Sequence, residues 1–276
     1  MRVKASMNDQ ASLARGSTVD SAEVERFARI AGEWWDAKGK FAPLHRLGPV
    51  RIGYIRDRAA AHWGRDALSG QPLKGLSVLD IGCGGGLLSE PMSRLGATVT
   101  GVDASARNVA VASLHAGRQG LAIDYRQDTA EALASSDARF DVVLALEIVE
   151  HVADVDLFLK SCSQLVKPGG LIFLSTLNRT AKAWLLAIAG AEYVLGWLPR
   201  GTHDWKKFLK PSEVVRGLEA GGITTKEIVG VVYSPLSRVW SLNKTDLDVN
   251  YMLFGESPNG TKQELNVHIS TVVPQP

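Results

Sequence analysis

Cysteine is nearly absent from this 276-residue chain: Cys83 and Cys162 are its only two. They lie far apart and outside any C-x-x-C pair. That excludes a disulfide framework and a structural zinc scaffold, and makes a reducing compartment the expectation. A dominant charge is also missing. With 31 Lys and Arg against 29 Asp and Glu, the formal net charge is +2, so no global field points to nucleic acid. No internal repeat is visible. The opening stretch MRVKASMNDQASLARGSTVD has no apolar core of the kind a secretory signal needs. Its arginines and serines suit a transit peptide, but Asp9 and Asp20 oppose one. The expectation is a disordered start over 1–20.

What is present is an ordinary globular composition, 45% hydrophobic and 22% charged, long enough for one large α/β domain. A helix is expected from Asp20 to Asp36, with Asp20 as N-cap, Glu23 as its reciprocal partner, and Phe27, Ile30, Ala31 and Trp34 on one face. A second helical segment is expected from Pro49 to His62. Short apolar strands follow at 76–82, 97–103, 122–127, 140–147 and 171–176, with helical stretches at 86–95, 104–119 and 154–165 between them. This alternation predicts parallel strands with crossover helices, a doubly wound α/β sheet. ITTKEIVGVVYSPL and DVNYMLF read as later strands. The domain plan is therefore N-terminal helices over 21–75, a core over 76–254 and a mobile tail over 255–276.

The most specific stretch is VLDIGCGGGLL, a D-x-G-x-G-x-G loop between a strand and a helix. Glycines there permit a tight turn and close approach of a ligand. In a G-x-G-x-x-G dinucleotide fingerprint counted from Gly82, the last glycine falls on Leu87. The Gly82, Gly84, Gly86 spacing fits a ligand without a pyrophosphate, which disfavours an NAD-dependent oxidoreductase. Asp103 ends the second strand, where a carboxylate accepts hydrogen bonds from ribose hydroxyls.

Taken with FDVVLALE and LVKPGG, these features resemble class I S-adenosylmethionine-dependent methyltransferases. EWWDAKGKFAPLHRLGPVRIGYI, EIVEHV, STLNRT, GTHDWKKFLKP and DVNYML are similar to the ubiquinone-biosynthesis O-methyltransferases, over about residues 23–254. The resemblance implies a Rossmann-like fold with seven strands ordered 3-2-1-4-5-7-6, strand 7 antiparallel. It places the S-adenosylmethionine-binding positions on Arg51, Gly82, Gly84, Asp103 and Leu146, with Arg51 meeting the methionine carboxylate. It implies O-methylation of polyprenylated catechol or quinol intermediates at both O-methylation steps. The expected location is cytoplasmic, peripheral on the inner face of the cell membrane, or the mitochondrial inner membrane in a eukaryote. Other ubiquinone-biosynthesis proteins are possible partners. A methyltransferase for another small phenol or lipid, and a non-catalytic lipid-binding protein on this scaffold, are the competing readings.

Glu147, Glu150 and His151 follow the fourth strand. A helical turn there would put them at i, i+3 and i+4 on one face. E-x-x-E-H resembles an inverted zinc-peptidase motif with a histidine replaced, but that motif needs a long helix. A purely structural role is the second reading. The third is a hard-cation site, since two carboxylates suit Mg²⁺ better than an imidazole does. The resemblance favours Mg²⁺ on these three residues, which would also be the catalytic set, activating a phenolate.

Finally, residues 179–210 form an apolar insertion flanked by Lys182, Arg200, Lys206, Lys207 and Lys210. Glu192 and the modest apolar length oppose a membrane span. A buried helix or lid and an interfacial segment remain. A polyprenyl substrate favours the latter, and with it peripheral membrane contact.

Overall fold

The computed structural model describes residues 17–186, 204–234, 237 and 239–259. Helix α1 (Ser21–Arg29) is capped by Asp20, which accepts from the Ala22 and Glu23 N–H groups. The reciprocal half of the expected cap does not form. The Glu23 side chain goes instead to Lys207 and His151. A 3-10 turn (Ala31–Glu33) leads to α2 (Ala42–His62), a helix that begins well before Pro49 and carries it in its interior. The expected start at Pro49 is therefore too late, and the chain accommodates a residue without an N–H within the helix.

The core then runs β1 (Ser77–Ile81), α3 (Ser89–Arg94), β2 (Thr98–Asp103), α4 (Ala106–Arg118), β3 (Asp124–Gln127), α5 (Ala130–Ala134) and β4 (Phe140–Leu146). It continues with α6 (Val155–Gln164), β5 (Val166–Leu177), a single turn at Ala181–Ala183, and α7 (Pro211–Ala220). It ends with β6 (Thr224–Ser234), β7 (Val239–Asn243) and β8 (Asn250–Glu256). The strand order is β3-β2-β1-β4-β5-β8-β6-β7. The first five strands are parallel, and β8 is antiparallel between β5 and β6. This is the anticipated class I methyltransferase sheet with an eighth strand, β7, paired antiparallel to the outer edge of β6.

Both faces of the central strands are buried. Val143 and Ala145 of β4 join one hydrophobic cluster with α6 and α7, whereas Val142, Leu144 and Leu146 join the other, with α2. Burial on both sides explains why β4 reads as a continuous apolar run rather than an alternation. It also places Leu146 on the sheet face that α2 covers.

Two boundaries differ from expectation. Ser17–Asp20 belong to the fold: Thr18 is buried and its N–H and hydroxyl donate to the Glu131 carboxylate at 2.7 and 2.8 Å. At the other end β8 continues to Glu256, inside the stretch expected to be tail. Residues 1–16, 187–203 and 260–276, which hold most of the expected disordered start, insertion and tail, lie outside the described residues.

Candidate active site

The carboxyl ends of β1, β2 and β4 open onto one cavity of about 1140 Å³, where ligands bind in open α/β sheets. All eight positions singled out from the sequence line it: Arg51, Gly82, Gly84, Asp103, Leu146, Glu147, Glu150 and His151.

The glycine loop shapes one wall. Gly82 and Gly84 have φ of 71° and 54°, a region L-residues rarely occupy. A Cβ on Gly84 would lie 2.4 Å from the Trp34 ring. Only hydrogen fits at this position. The Gly84 N–H donates to Asp103 Oδ2 at 3.0 Å, and Asp103 Oδ1 accepts from the Ser105 N–H at 2.8 Å and the Asn108 amide at 3.1 Å. Burial pushes the Asp103 carboxyl above its usual range, partly offset by these three donors. Behind it, Asp80 is fully buried and is pushed up to about 7 by desolvation, although the Ser89 hydroxyl donates to it at 2.6 Å. The loop and Asp103 thus form one hydrogen-bonded wall of the cavity.

The carboxylate–histidine cluster is built differently from the expectation. Glu147 takes φ of 53°, which ends β4 abruptly, and the following residues form a 3-10 turn, Val149–His151, rather than an α-helix. The i, i+3, i+4 face therefore does not exist. The Glu147 carboxylate accepts from the Ser175 hydroxyl at 2.7 Å and the Asn250 amide at 3.2 and 3.3 Å, and Arg51 Nη2 sits 2.6 Å from its Oε1. Glu150 is buried and accepts from the Thr176 hydroxyl at 2.8 Å. Desolvation, with the nearby Glu147 charge, raises its carboxyl above the usual range. His151 turns away to Glu23, Nδ1 to Oε2 3.2 Å, with Phe27 against its ring.

Among the described residues, no three His, Cys, Asp or Glu side chains come together as a metal site. The expected Mg²⁺ set of Glu147, Glu150 and His151 is thus not assembled. Arg51 already balances Glu147, and the positive φ and 3-10 turn send His151 elsewhere. Arg51, expected on the methionine carboxylate, pairs with Glu147. Trp34, Asn108, Ser175, Thr176 and Asn250 complete the site. EWWD, STLNRT and DVNYML, which hold all of these but Asn108, carried the resemblance, yet nothing in their spacing assigned the residues a role.

Residues 79–174 match the Methyltransferase domain family model. A ubiquinone biosynthesis O-methyltransferase of Chelativorans sp. (strain BNC1) is 57% identical over 89% of this chain and 96% of its own length. One from Parvibaculum lavamentivorans is 56% identical over 91% and 98%. The chain belongs to the ubiquinone biosynthesis O-methyltransferase family. It is an S-adenosylmethionine-dependent methyltransferase. Among solved structures, the magnesium protoporphyrin IX methyltransferase of Synechocystis with bound S-adenosylhomocysteine superposes with a TM-score of 0.56. It is 22% identical and covers 86% of this chain and 95% of its own. A possible histamine N-methyltransferase from Thermotoga maritima gives 0.56 at 19% identity, covering 85% and 99%. At these identities the likeness concerns the fold.

Proposed function

We propose that this enzyme O-methylates polyprenylated catechol or quinol intermediates of ubiquinone biosynthesis, at both O-methylation steps, while bound peripherally to the inner face of the cell membrane. The observation that carries the substrate assignment is the near full-length identity of 57% to a curated ubiquinone biosynthesis O-methyltransferase. The cavity supports it. Its volume of about 1140 Å³ exceeds the range of roughly 300–1000 Å³ common for small-molecule sites. Phe27, Ile30, Leu44, Leu47, Ile148 and Val231 give it apolar walls that suit a prenyl tail beside a nucleoside.

Bound S-adenosylmethionine supplies an electrophilic methyl group on a sulfonium. The residues of the chain do the rest. The glycine loop and Asp103 hold the nucleoside, and Leu146 packs beside it. An aromatic hydroxyl with a pKa of about 10 is only ~0.1% ionised at neutral pH, so a base must accept its proton. Glu150 suits this role: it lines the cavity, and burial raises its proton affinity above that of an ordinary carboxylate. Arg51 balances Glu147, so two neighbouring carboxylates can persist in a buried site. The protein's part in transfer is to hold acceptor oxygen and methyl carbon in line.

Membrane contact rests on the exposed Trp184, Leu185 and Leu186 on one side of 187–203 and Trp205 on the other. Among the described residues no helix is long and apolar enough to cross a membrane, and the interfacial reading needs none. The deciding assay combines labelled S-adenosylmethionine with a short-tailed demethyl-quinol, alongside unrelated phenols. Label transferred only to the unrelated phenols would refute the substrate class. Flotation with anionic liposomes tests the membrane half, and protein left wholly in the soluble fraction would refute it.

A further inference from the structure

We infer that Trp34 is a positioning residue for the cofactor: its indole N–H fixes the Asn108 amide, which in turn orients Asp103 toward the ribose. The inference rests on the reading of Asp103 as the ribose acceptor.

Trp34 lies outside the sheet, just after the 3-10 turn that follows α1, yet it reaches the centre of the cradle. Its Nε1 donates to Asn108 Oδ1 at 3.0 Å, and the Asn108 Nδ2 donates to Asp103 Oδ1 at 3.1 Å. An indole N–H can only donate. It therefore dictates which way the Asn108 amide faces and delivers the NH₂ group, never the carbonyl, to the carboxylate. Trp34 and Asn108 are 8% and 3% exposed, so this chain of bonds lies where hydrogen bonds are strong and an unpaired group is costly.

The ring also controls the other oxygen. It lies so close to the glycine loop that a Cβ on Gly84 or on Gly85 would come within 2.4 Å of it. The Gly84 N–H is the donor to Asp103 Oδ2. One side chain thus touches two of the three groups that donate to Asp103, the amide on Oδ1 and the loop on Oδ2; the third, the Ser105 N–H on Oδ1, is independent of it. Phe41 fixes the ring itself, stacked at 3.7 Å with planes 9° apart. The cradle is complete only when the segment carrying Trp34 is seated.

The test is calorimetry on the full chain with S-adenosylhomocysteine and its 2′,3′-dideoxy analogue. Trp34→Phe keeps an aromatic ring but loses the N–H. It should weaken S-adenosylhomocysteine binding ~10-fold and the dideoxy analogue less than ~2-fold, because one buried hydrogen bond toward the ribose acceptor is lost. Asp103→Ala should abolish the preference for the ribose hydroxyls altogether. Equal weakening of both ligands by Trp34→Phe, or an undiminished preference, overturns the relay and leaves the Asp103 reading standing. A preference that survives Asp103→Ala overturns that reading and the relay with it. If Trp34→Phe does not fold, Asn108→Ala decides the question with the indole still seated on the glycines: it must show the same ribose-specific loss, and its absence refutes the relay.

Discussion

Arg51 Nη2 lies 2.6 Å from Glu147 Oε1 with the arginine side chain only 4% exposed. A helix residue outside the sheet thus neutralises a carboxylate at the end of β4. Breaking a buried pair leaves an uncompensated charge, which costs about 3–5 kcal/mol. Here the charge left behind would face Glu150 as well. Arg51→Ala is expected to lower unfolding free energy by that order in urea titrations, and Arg51→Met with Glu147→Gln to recover most of it. A single Arg51→Ala variant as stable as wild type would show that the pair contributes nothing.

Gly84→Ala attacks the same region by volume. The added methyl meets the Trp34 ring at 2.4 Å and must adopt φ of 54°. Overpacking of this kind costs about 1–3 kcal/mol. The expected result is a lower melting temperature together with weakened S-adenosylhomocysteine binding by calorimetry. Wild-type values for both would mean that the loop has slack that this geometry does not show.

Asp80 predicts a pH dependence of stability. Its folded-state pKa is pushed up to about 7 from a reference of 3.8. Between those values the folded chain holds a proton that the unfolded chain releases. Stability attributable to Asp80 is therefore full below about pH 4, falls as pH rises, and levels off above about 7. The rise of roughly 3 units corresponds to about 4 kcal/mol at most. Asp80→Asn, which can still accept from Ser89, should be more stable than wild type at pH 8 and should lose that advantage at pH 4. Denaturation at the two pH values checks this, and an advantage of equal size at both would contradict it.

Glu150 is buried against Thr176 with a raised proton affinity. As general base it should contribute about 10²–10⁴-fold to turnover. Glu150→Gln is nearly isosteric and is expected to lower kcat by that factor while leaving S-adenosylhomocysteine affinity within ~2-fold, because the cofactor cradle is elsewhere. A kcat within threefold of wild type would pass the role to Glu147 or His151.

These sites differ in how far the sequence foretold them. The apolar runs of β1, β4 and β5 were legible because both sheet faces are covered, and the tight loop at Gly82 and Gly84 beside Asp103 was legible because its positive φ values call for glycine directly after a strand. β7 was not: Val239, Ser241, Leu242 and Asn243 are exposed, so no burial pattern marks the strand. The Arg51–Glu147 pair and the Trp34–Asn108–Asp103 chain were not legible either. They join residues far apart in sequence through side-chain geometry, and periodicity carries no trace of that. The Val149–His151 turn was missed because the positive φ of Glu147 is unusual for a carboxylate residue and no neighbouring glycine signals it.

The structure also shifts the balance of forces expected at the membrane. The basic residues flanking the insertion looked available for anionic lipid, but Lys207 pairs with Asp20 at 2.9 Å and Lys182 with Asp246 and Asp248 at 3.0 and 3.1 Å. Two of the flanking cations are thus already partnered inside the protein, whereas Trp184, Leu185 and Leu186 are about half exposed. Apolar insertion, at about 0.8 kcal/mol per buried methylene, should then dominate over charge. The triple variant Trp184→Ser, Leu185→Ser and Leu186→Ser is expected to abolish flotation with anionic liposomes, while raising wild-type samples from 0.1 to ~0.5 M salt, which shortens the screening length about twofold, should leave most of the protein bound. Salt that releases the protein while the triple serine variant still floats would reverse that order and make lipid charge the principal attraction.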